Sequence, residues 1–182
     1  MLDGEEKLIQ DAVKVGDSSA FGLLYDKYHS QIYRFIYLKV SHREEAEDIT
    51  HQVFLNAWKN IEKYQIQGYP FSSWLYQISR NLVIDHYRTK KTTTDIESIS
   101  ESEFADSNDS LQKTIEVNFE VDIVRKAIFK LNQEQQDILI MRFVDELSSK
   151  EISTALGKPE STVRVLQHRA IKNLKNILSE NK

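Results

Sequence analysis

Residues Ser148 to Leu174, SSKEISTALGKPESTVRVLQHRAIKNL, read as two short helices joined by one tight turn. Ser148 followed three positions later by Glu151 is a capping box, in which each side chain satisfies the other's free backbone N–H at a helix start. The helix it opens runs through Lys150 to Leu156 and stops at Gly157, the residue type that takes a left-handed C′ position without strain. Pro159 suits the first turn of the next helix, which continues to about Leu178. On that second helix Val163, Leu166, Ala170 and Leu174 step by three and four, so they share the core-facing side. Ser161, Arg164, Val165, His168, Arg169 and Lys172 fall on the outward side. A capped helix, a glycine turn and a basic second helix form a helix-turn-helix, whose second helix enters the DNA major groove. Arg164 is then the base reader, because guanidinium pairs bidentately with guanine. Thr162, Arg169 and Lys172 suit backbone oxygens. His168 and Val165 gain meaning only from sharing the Arg164 face. The alternative is a basic, solvated surface on a small bundle.

Upstream of this unit, Ile123, Val124, Ala127, Ile128 and Leu131 share a helical face, and Asn132 with Gln135 marks a further helix start. Between Asp95 and Asp109 there are six acids, four serines and no base. Such a segment buries too little apolar surface to offset its ordering entropy. It divides the chain into residues 1–91, an acidic flexible linker over 92–117, and residues 118–182; a solvated loop inside one domain is the alternative. In the first part, Phe21, Leu24, Tyr25, Tyr28, Ile32, Phe35 and Ile36 recur at helical spacing. Ser41 with Glu44 reads as a capping box for a helix whose apolar face is Ala46, Ile49, Val53, Ala57 and Ile61. A loop from Tyr64 to Phe71 precedes a helix over about Ser72 to Arg88. No stretch alternates apolar and polar residues convincingly over a strand length. The expected fold is all-α, two small helical domains joined by the acidic linker.

Composition narrows the function classes. The 182 residues include no cysteine, which excludes disulfides, thiolate zinc sites and cysteine nucleophiles. No apolar run approaches the ~18 residues of a membrane span, and Met1 to Glu6 carries no apolar block of a signal peptide. The expectation is a cytoplasmic protein without membrane insertion. The net charge of −4 is unevenly placed. Ser148 to Lys175 holds six bases and two acids, and Arg80 to Lys91 holds four bases and one acid, leaving −11 for the remainder. Local field decides where a phosphate backbone settles. Around the second basic stretch, Tyr64, Tyr69, Phe71, Trp74, Tyr76 and Tyr87 interleave with Arg80, Asn81, His86 and Arg88, a composition suited to single-stranded nucleic acid. Trp74, Leu75, Ile78 and Leu82 have core spacing, so Trp74 is assigned to packing.

Four blocks together resemble the extracytoplasmic-function sigma factors of the sigma-70 family. Asp17-x-x-Ala20-Phe21-x-x-Leu24-Tyr25-x-x-Tyr28 resembles the opening of conserved region 2. Ala46 to Trp58 (AEDITHQVFLNAW) is similar to the helix that docks on the polymerase clamp. Phe71-x-x-Trp74-Leu75-Tyr76-x-Ile78-x-Arg80-Asn81-x-x-x-Asp85 is similar to the promoter-melting segment, and Ser148 to Leu174 to the region 4 helix-turn-helix. The resemblance implies an alternative sigma factor with core RNA polymerase and promoter DNA as partners, and an anti-sigma factor as silencing partner. Glu47, Asp48, Gln52, Val53 and Asn56 would contact core polymerase. Tyr64, Tyr69, Phe71, Arg80, Asn81 and Arg88 would serve the −10 element. Ser161, Thr162, Arg164, Val165, His168, Arg169 and Lys172 would serve the −35 element. No cofactor or metal is expected, and RNA synthesis would belong to the polymerase.

Two departures stand out. His51-Gln52 occupies the place where the family commonly has glutamine followed by an acid, and Val165-Leu166 replaces small polar and basic residues. A stand-alone helix-turn-helix transcriptional regulator is the competing function, but it leaves the clamp-like helix and the Arg80-Asn81 segment unexplained. A helical enzyme is weaker still, since His29, His42, His51, His86 and His168 form no metal-binding pair and no glycine-rich phosphate loop is present.

Overall fold

The computed structural model describes residues 2–64, 70–94 and 123–180. Tyr69 and most of the acidic segment, residues 95–117, lie outside them. Among the described residues there is no strand. Four helices form the first group: α1 (Leu2–Val15), α2 (Ser18–Val40), α3 (Arg43–Lys59) and α4 (Phe71–Thr94), with a 3₁₀ turn at Ile61–Lys63. The second group is α5 (123–129), α6 (Gln133–Leu139), a π-helical segment (Ile140–Val144), α7 (Ser149–Leu156) and α8 (Glu160–Glu180).

Local chemistry explains most of the boundaries. Asp17 caps α2 by accepting from the Ser19 N–H at 2.8 Å, and Asn132 caps α6 by accepting from Gln135 N–H at 2.9 Å. The Ser148–Glu151 capping box forms in both directions, at 3.2 and 2.8 Å. Gly157 ends α7 at φ +63°. The capping box expected between Ser41 and Glu44 does not form. Ser41 is itself left-handed, at φ +57°, and closes α2 by donating its N–H to Tyr37 O. An N-cap needs an extended backbone, and His42 supplies it without a side-chain bond. Glu44 and Glu45 in the first turn of α3 instead offset its positive end.

The apolar periodicity of α2 and α3 becomes buried surface. Leu24, Tyr28, Ile32, Phe35 and Ile36 are buried, as are Ala46, Ile49, Val53, Ala57 and Ile61. The α4 residues Leu75, Tyr76 and Val83 complete this core, with the Tyr76 ring edge-on to Phe35 at 5.1 Å. That core does not end with the first helical group. Ile138, Ile140, Met141, Leu147, Ile152, Leu156 and Val163 belong to the same continuous cluster, because α7 lies against α4 and the π-helical segment against α2. A smaller cluster of Leu131, Leu139 and Ala170 ties α6 to α8. The two helical groups thus meet along an apolar seam, a placement the sequence left open.

Candidate nucleic-acid interface

The α7–α8 turn is rigidly specified. Gly157 lets the chain reverse, Lys158 N–H donates to Ser153 O at 3.0 Å, and Ser153 Oγ donates to Lys158 O at 2.5 Å. Val163 and Ala170 have no exposed surface, which fixes the rotation of α8 about its axis. Ser161, Arg164, Val165, His168, Arg169 and Lys172 are exposed on the other side, and Thr162 is half-buried. Arg164 extends into solvent with its side chain 70% exposed, in contact with Glu160 one turn earlier at 3.3 Å. An exposed apolar residue, Val165, sits beside it. This face presents Arg164, His168 and Arg169 on the N-terminal half of α8 and Lys172 just beyond it, the chemistry a major groove accepts.

On α3, Asp48 and Gln52 are exposed, and Glu47 and Asn56 are half-buried. Glu47 pairs with Arg43 at 2.9 Å. Val53, placed by the resemblance in the polymerase-facing set, is 0% exposed. It supports the helix from inside, because it shares the stripe of Ala46, Ile49 and Ala57. Leu55 is 51% exposed and lies one turn beyond Gln52 and two turns beyond Asp48 on the outward side. A leucine off the apolar stripe was the available signal for it.

On α4, Asn81 is exposed, whereas the bases around it are engaged. Arg80 Nε donates to Asp137 Oδ2 at 2.6 Å, Arg88 pairs with Asp85 at 3.0 Å, and Glu45 accepts from both His86 and Lys90. Tyr64 and Phe71 are buried, edge-to-face at 5.3 Å, with Trp74 packed on both. Burial pushes the Tyr64 phenol up to about 12, so it is a neutral hydroxyl. These rings form an aromatic bed beneath the surface, not an open stacking platform.

Sequence reasoning missed a set of ionic residues at the seam. Lys39 is only 1% exposed, and its ammonium contacts Asp137, equally buried. Arg80 takes the other Asp137 oxygen. Nearby, Asp145 accepts from Arg34 Nη2 at 2.7 Å and Nε at 3.0 Å through one oxygen, and from Tyr76 OH at 2.8 Å through the other. Burial lowers the Lys39 pKa, an effect the Asp137 charge opposes. Burial raises Asp145, against the hydrogen bonds from Tyr76 and Arg34. A lysine standing four positions after Phe35 and three after Ile36 on an apolar stripe was a legible anomaly. Its partner, 98 residues away, was not.

Among the described residues no group of three or more histidine, aspartate or glutamate side chains could hold a metal ion, and no helix is long and apolar enough to cross a membrane.

Comparison with known proteins gives a consistent result. Residues 24–93 match the sigma-70 region 2 family, and 127–176 match sigma-70 region 4. The chain is 31% identical over 176 residues to the ECF RNA polymerase sigma factor SigW of Bacillus subtilis, covering 92% of this chain and 94% of SigW. It is 32% identical over 173 residues to the ECF RNA polymerase sigma factor BldN of Streptomyces coelicolor, spanning 93% of this chain but 64% of BldN. The fold is similar to CnrH, solved in complex with the cytosolic domain of CnrY, with a TM-score of 0.74, 19% identity and coverage of 98% of this chain and 99% of CnrH. It is also similar to RpoE, solved with the anti-sigma factor NepR from Bartonella quintana, with a TM-score of 0.68, 17% identity and coverage of 89% and 98%.

Proposed function

The chain belongs to the extracytoplasmic-function sigma factors of the sigma-70 family and serves transcription initiation; from that premise we propose how its own residues carry core polymerase to a promoter. The observation that carries the reading is the α8 face, where buried Val163 and Ala170 hold Arg164, His168, Arg169 and Lys172 outward. Region 4 reads the −35 element with that face: Arg164 contacts a base edge, and Ser161, Thr162, Arg169 and Lys172 contact the backbone. Val165 offers an apolar contact to a thymine methyl.

Region 2 docks on the polymerase through the outward side of α3, with Asp48, Gln52 and Leu55 at its centre and Glu47 and Asn56 at its edges. Region 2 also serves the −10 element. Asn81 is the exposed amide that meets an unstacked base, Arg80 and Arg88 hold the strand, and the Tyr64–Phe71–Trp74 bed underlies the pocket. The protein adds no catalytic step of its own, acts in the cytoplasm alongside the polymerase, and is held inactive by an anti-sigma factor. RpoE from Bartonella quintana, similar in fold, was solved in complex with the anti-sigma factor NepR, which supports that last point.

Run-off transcription with core polymerase tests the reading. Promoter-specific transcripts should appear only when this chain is added. A chain that binds duplex DNA but confers no initiation would be a stand-alone regulator.

A further inference from the structure

Glu5 is a charge in a position that suits an apolar side chain. On α1 it stands four residues before Ile9 and seven before Ala12, both buried, so it shares their core-facing side. Its neighbour Glu6 is exposed. Both oxygens of Glu5 are engaged: Oε1 accepts from the Tyr28 hydroxyl and Oε2 from the Lys27 ammonium. Tyr28 is only 7% exposed, and a desolvated phenol without an acceptor is costly. Burial first, and the bond to Glu5 second, raise the Tyr28 pKa, so the hydroxyl keeps its proton and donates it to that carboxylate. A hydrogen bond to an ionised acceptor is about twice as strong as a neutral one.

The Tyr28 ring leads directly into the aromatic bed. Its centroid lies 5.9 Å from that of Phe71, which lies 5.5 Å from Trp74 and 5.3 Å from Tyr64. Four rings thus form one packed group with Glu5 at its edge. The Glu5 charge reaches Tyr64 as well, second to burial in raising its pKa. Helix α1 also lies against the 3₁₀ turn that ends at Lys63, immediately before Tyr64. Asn81 stands seven residues beyond Trp74, about two turns farther on nearly the same side of α4. Ring contacts tolerate several tilts and offsets, whereas a hydrogen bond is directional. The bond to Glu5 supplies that direction at the Tyr28 end of the group.

We propose that Glu5 is a positioning residue for −10 recognition: through Tyr28 it holds the Phe71, Tyr64 and Trp74 rings in the placement that lets Asn81 discriminate a base. The inference rests on the assignment of Asn81 and this bed to the −10 element. Glu5 does not itself contact DNA, because a carboxylate repels the phosphates of the strand. Lys27 balances its charge, so the bond to Tyr28 is made without leaving a bare negative group beneath the pocket. Recognition sites depend on supporting side chains that hold the contacting groups to within about 0.5 Å, and Glu5 acts at that level.

The test uses the full chain with core polymerase and a promoter panel carrying each base at each −10 position. Glu5→Ala should lower discrimination about two- to tenfold, the worth of one hydrogen bond, at the position whose preference Asn81→Ala also changes. Core polymerase affinity and −35 preference should stay as in the parent. Tyr28→Phe keeps the ring and deletes the hydroxyl; it should lose the same preference, and it carries the test if circular dichroism shows that the alanine variant misfolds. The double variant should lose no more than either single one, and Glu5→Gln, which keeps an acceptor oxygen, should retain most of the preference. A second reading needs no DNA. In a Trp58→Phe background Trp74 is the one remaining tryptophan, and its emission should shift in Glu5→Ala and Tyr28→Phe but not in Glu5→Gln. Unchanged −10 preference in Glu5→Ala and Tyr28→Phe overturns the proposal, as does an equal loss at every promoter position or an unmoved Trp74 emission. If Asn81→Ala itself leaves −10 preference intact, the −10 assignment fails and the positioning role with it, while the emission still decides whether Glu5 orders the bed.

Discussion

Replacing Arg164 with alanine separates base reading from bulk attraction at the α8 face. In the free protein the guanidinium contacts Glu160, 3.3 Å away at i,i+4. An exposed pair of that kind is worth about 0.3–0.5 kcal/mol. A bidentate contact to guanine is worth about 1–3 kcal/mol of discrimination, and binding must first release Glu160. The net loss on Arg164→Ala is then about 0.6–2.6 kcal/mol, or about 3- to 80-fold in affinity. Conversely, Glu160→Ala frees the guanidinium and should tighten binding, by up to about twofold. Lys172 stands eight residues farther along, about 12 Å up the helix axis, where the groove has curved away. Its loss should weaken all sequences alike and shrink the slope of log affinity against log salt by about 0.9. The assay is selection of promoters with a randomised −35 element by reconstituted holoenzyme, followed by affinity measurements on single-base variants at several salt concentrations. Arg164→Ala should relax preference at one position and leave the others intact. If it lowers affinity evenly across the panel, Arg164 touches only the backbone and the rotation assigned to α8 is refuted.

Further expectations concern the rest of the molecule. Asp48→Arg on the exposed side of α3 should weaken core polymerase binding about tenfold or more by charge reversal without altering chemical denaturation; unchanged affinity in a titration would move the docking surface elsewhere. Ser148→Ala removes one arm of the capping box that opens α7 and should cost about 1 kcal/mol of stability, measurable as a lower urea midpoint. Burial holds the folded-state Asp145 pKa above its ordinary 3.8, so the folded chain binds the extra proton as pH rises past that value. The stability this group contributes is therefore full below pH 3.8 and lost as pH climbs through its folded pKa. Parent stability should fall relative to Asp145→Asn across that range in pH-resolved urea melts; parallel profiles would mean that the carboxyl titrates as it does in the unfolded chain.

Much of this protein is local in origin, and local features were legible in the amino-acid sequence. The helix-turn-helix rests on contacts no more than five residues apart: the Ser148–Glu151 reciprocal bonds, the left-handed Gly157 and the bond from Lys158 N–H to Ser153 O. The rotation of α8 followed from the spacing of Val163, Leu166, Ala170 and Leu174, because burying one face of a helix exposes the other. The same logic would have separated buried Val53 from exposed Leu55 had periodicity been given precedence over motif resemblance. Ser41 was misread for a physical reason. Cap preference assumes an extended backbone, and only the packing of α2 against α3 showed that this residue turns left-handed instead.

What the tertiary structure alone decided is the seam between the two helical groups. Lys39 announced itself as a charge on an apolar stripe, but nothing near it in sequence supplies a counter-charge. Asp137 does so from 98 residues away, across a segment whose composition carries no information about where its two ends meet. Arg34, Tyr76 and Arg80 likewise find Asp145 and Asp137 only because α4 lies against α7 and α2 lies against the π-helical segment. Helix starts, stops and faces are set by neighbours within a turn or two, so the sequence determines them directly. The pairing of distant charges depends on which apolar faces meet, and that is settled only when the whole core is buried together.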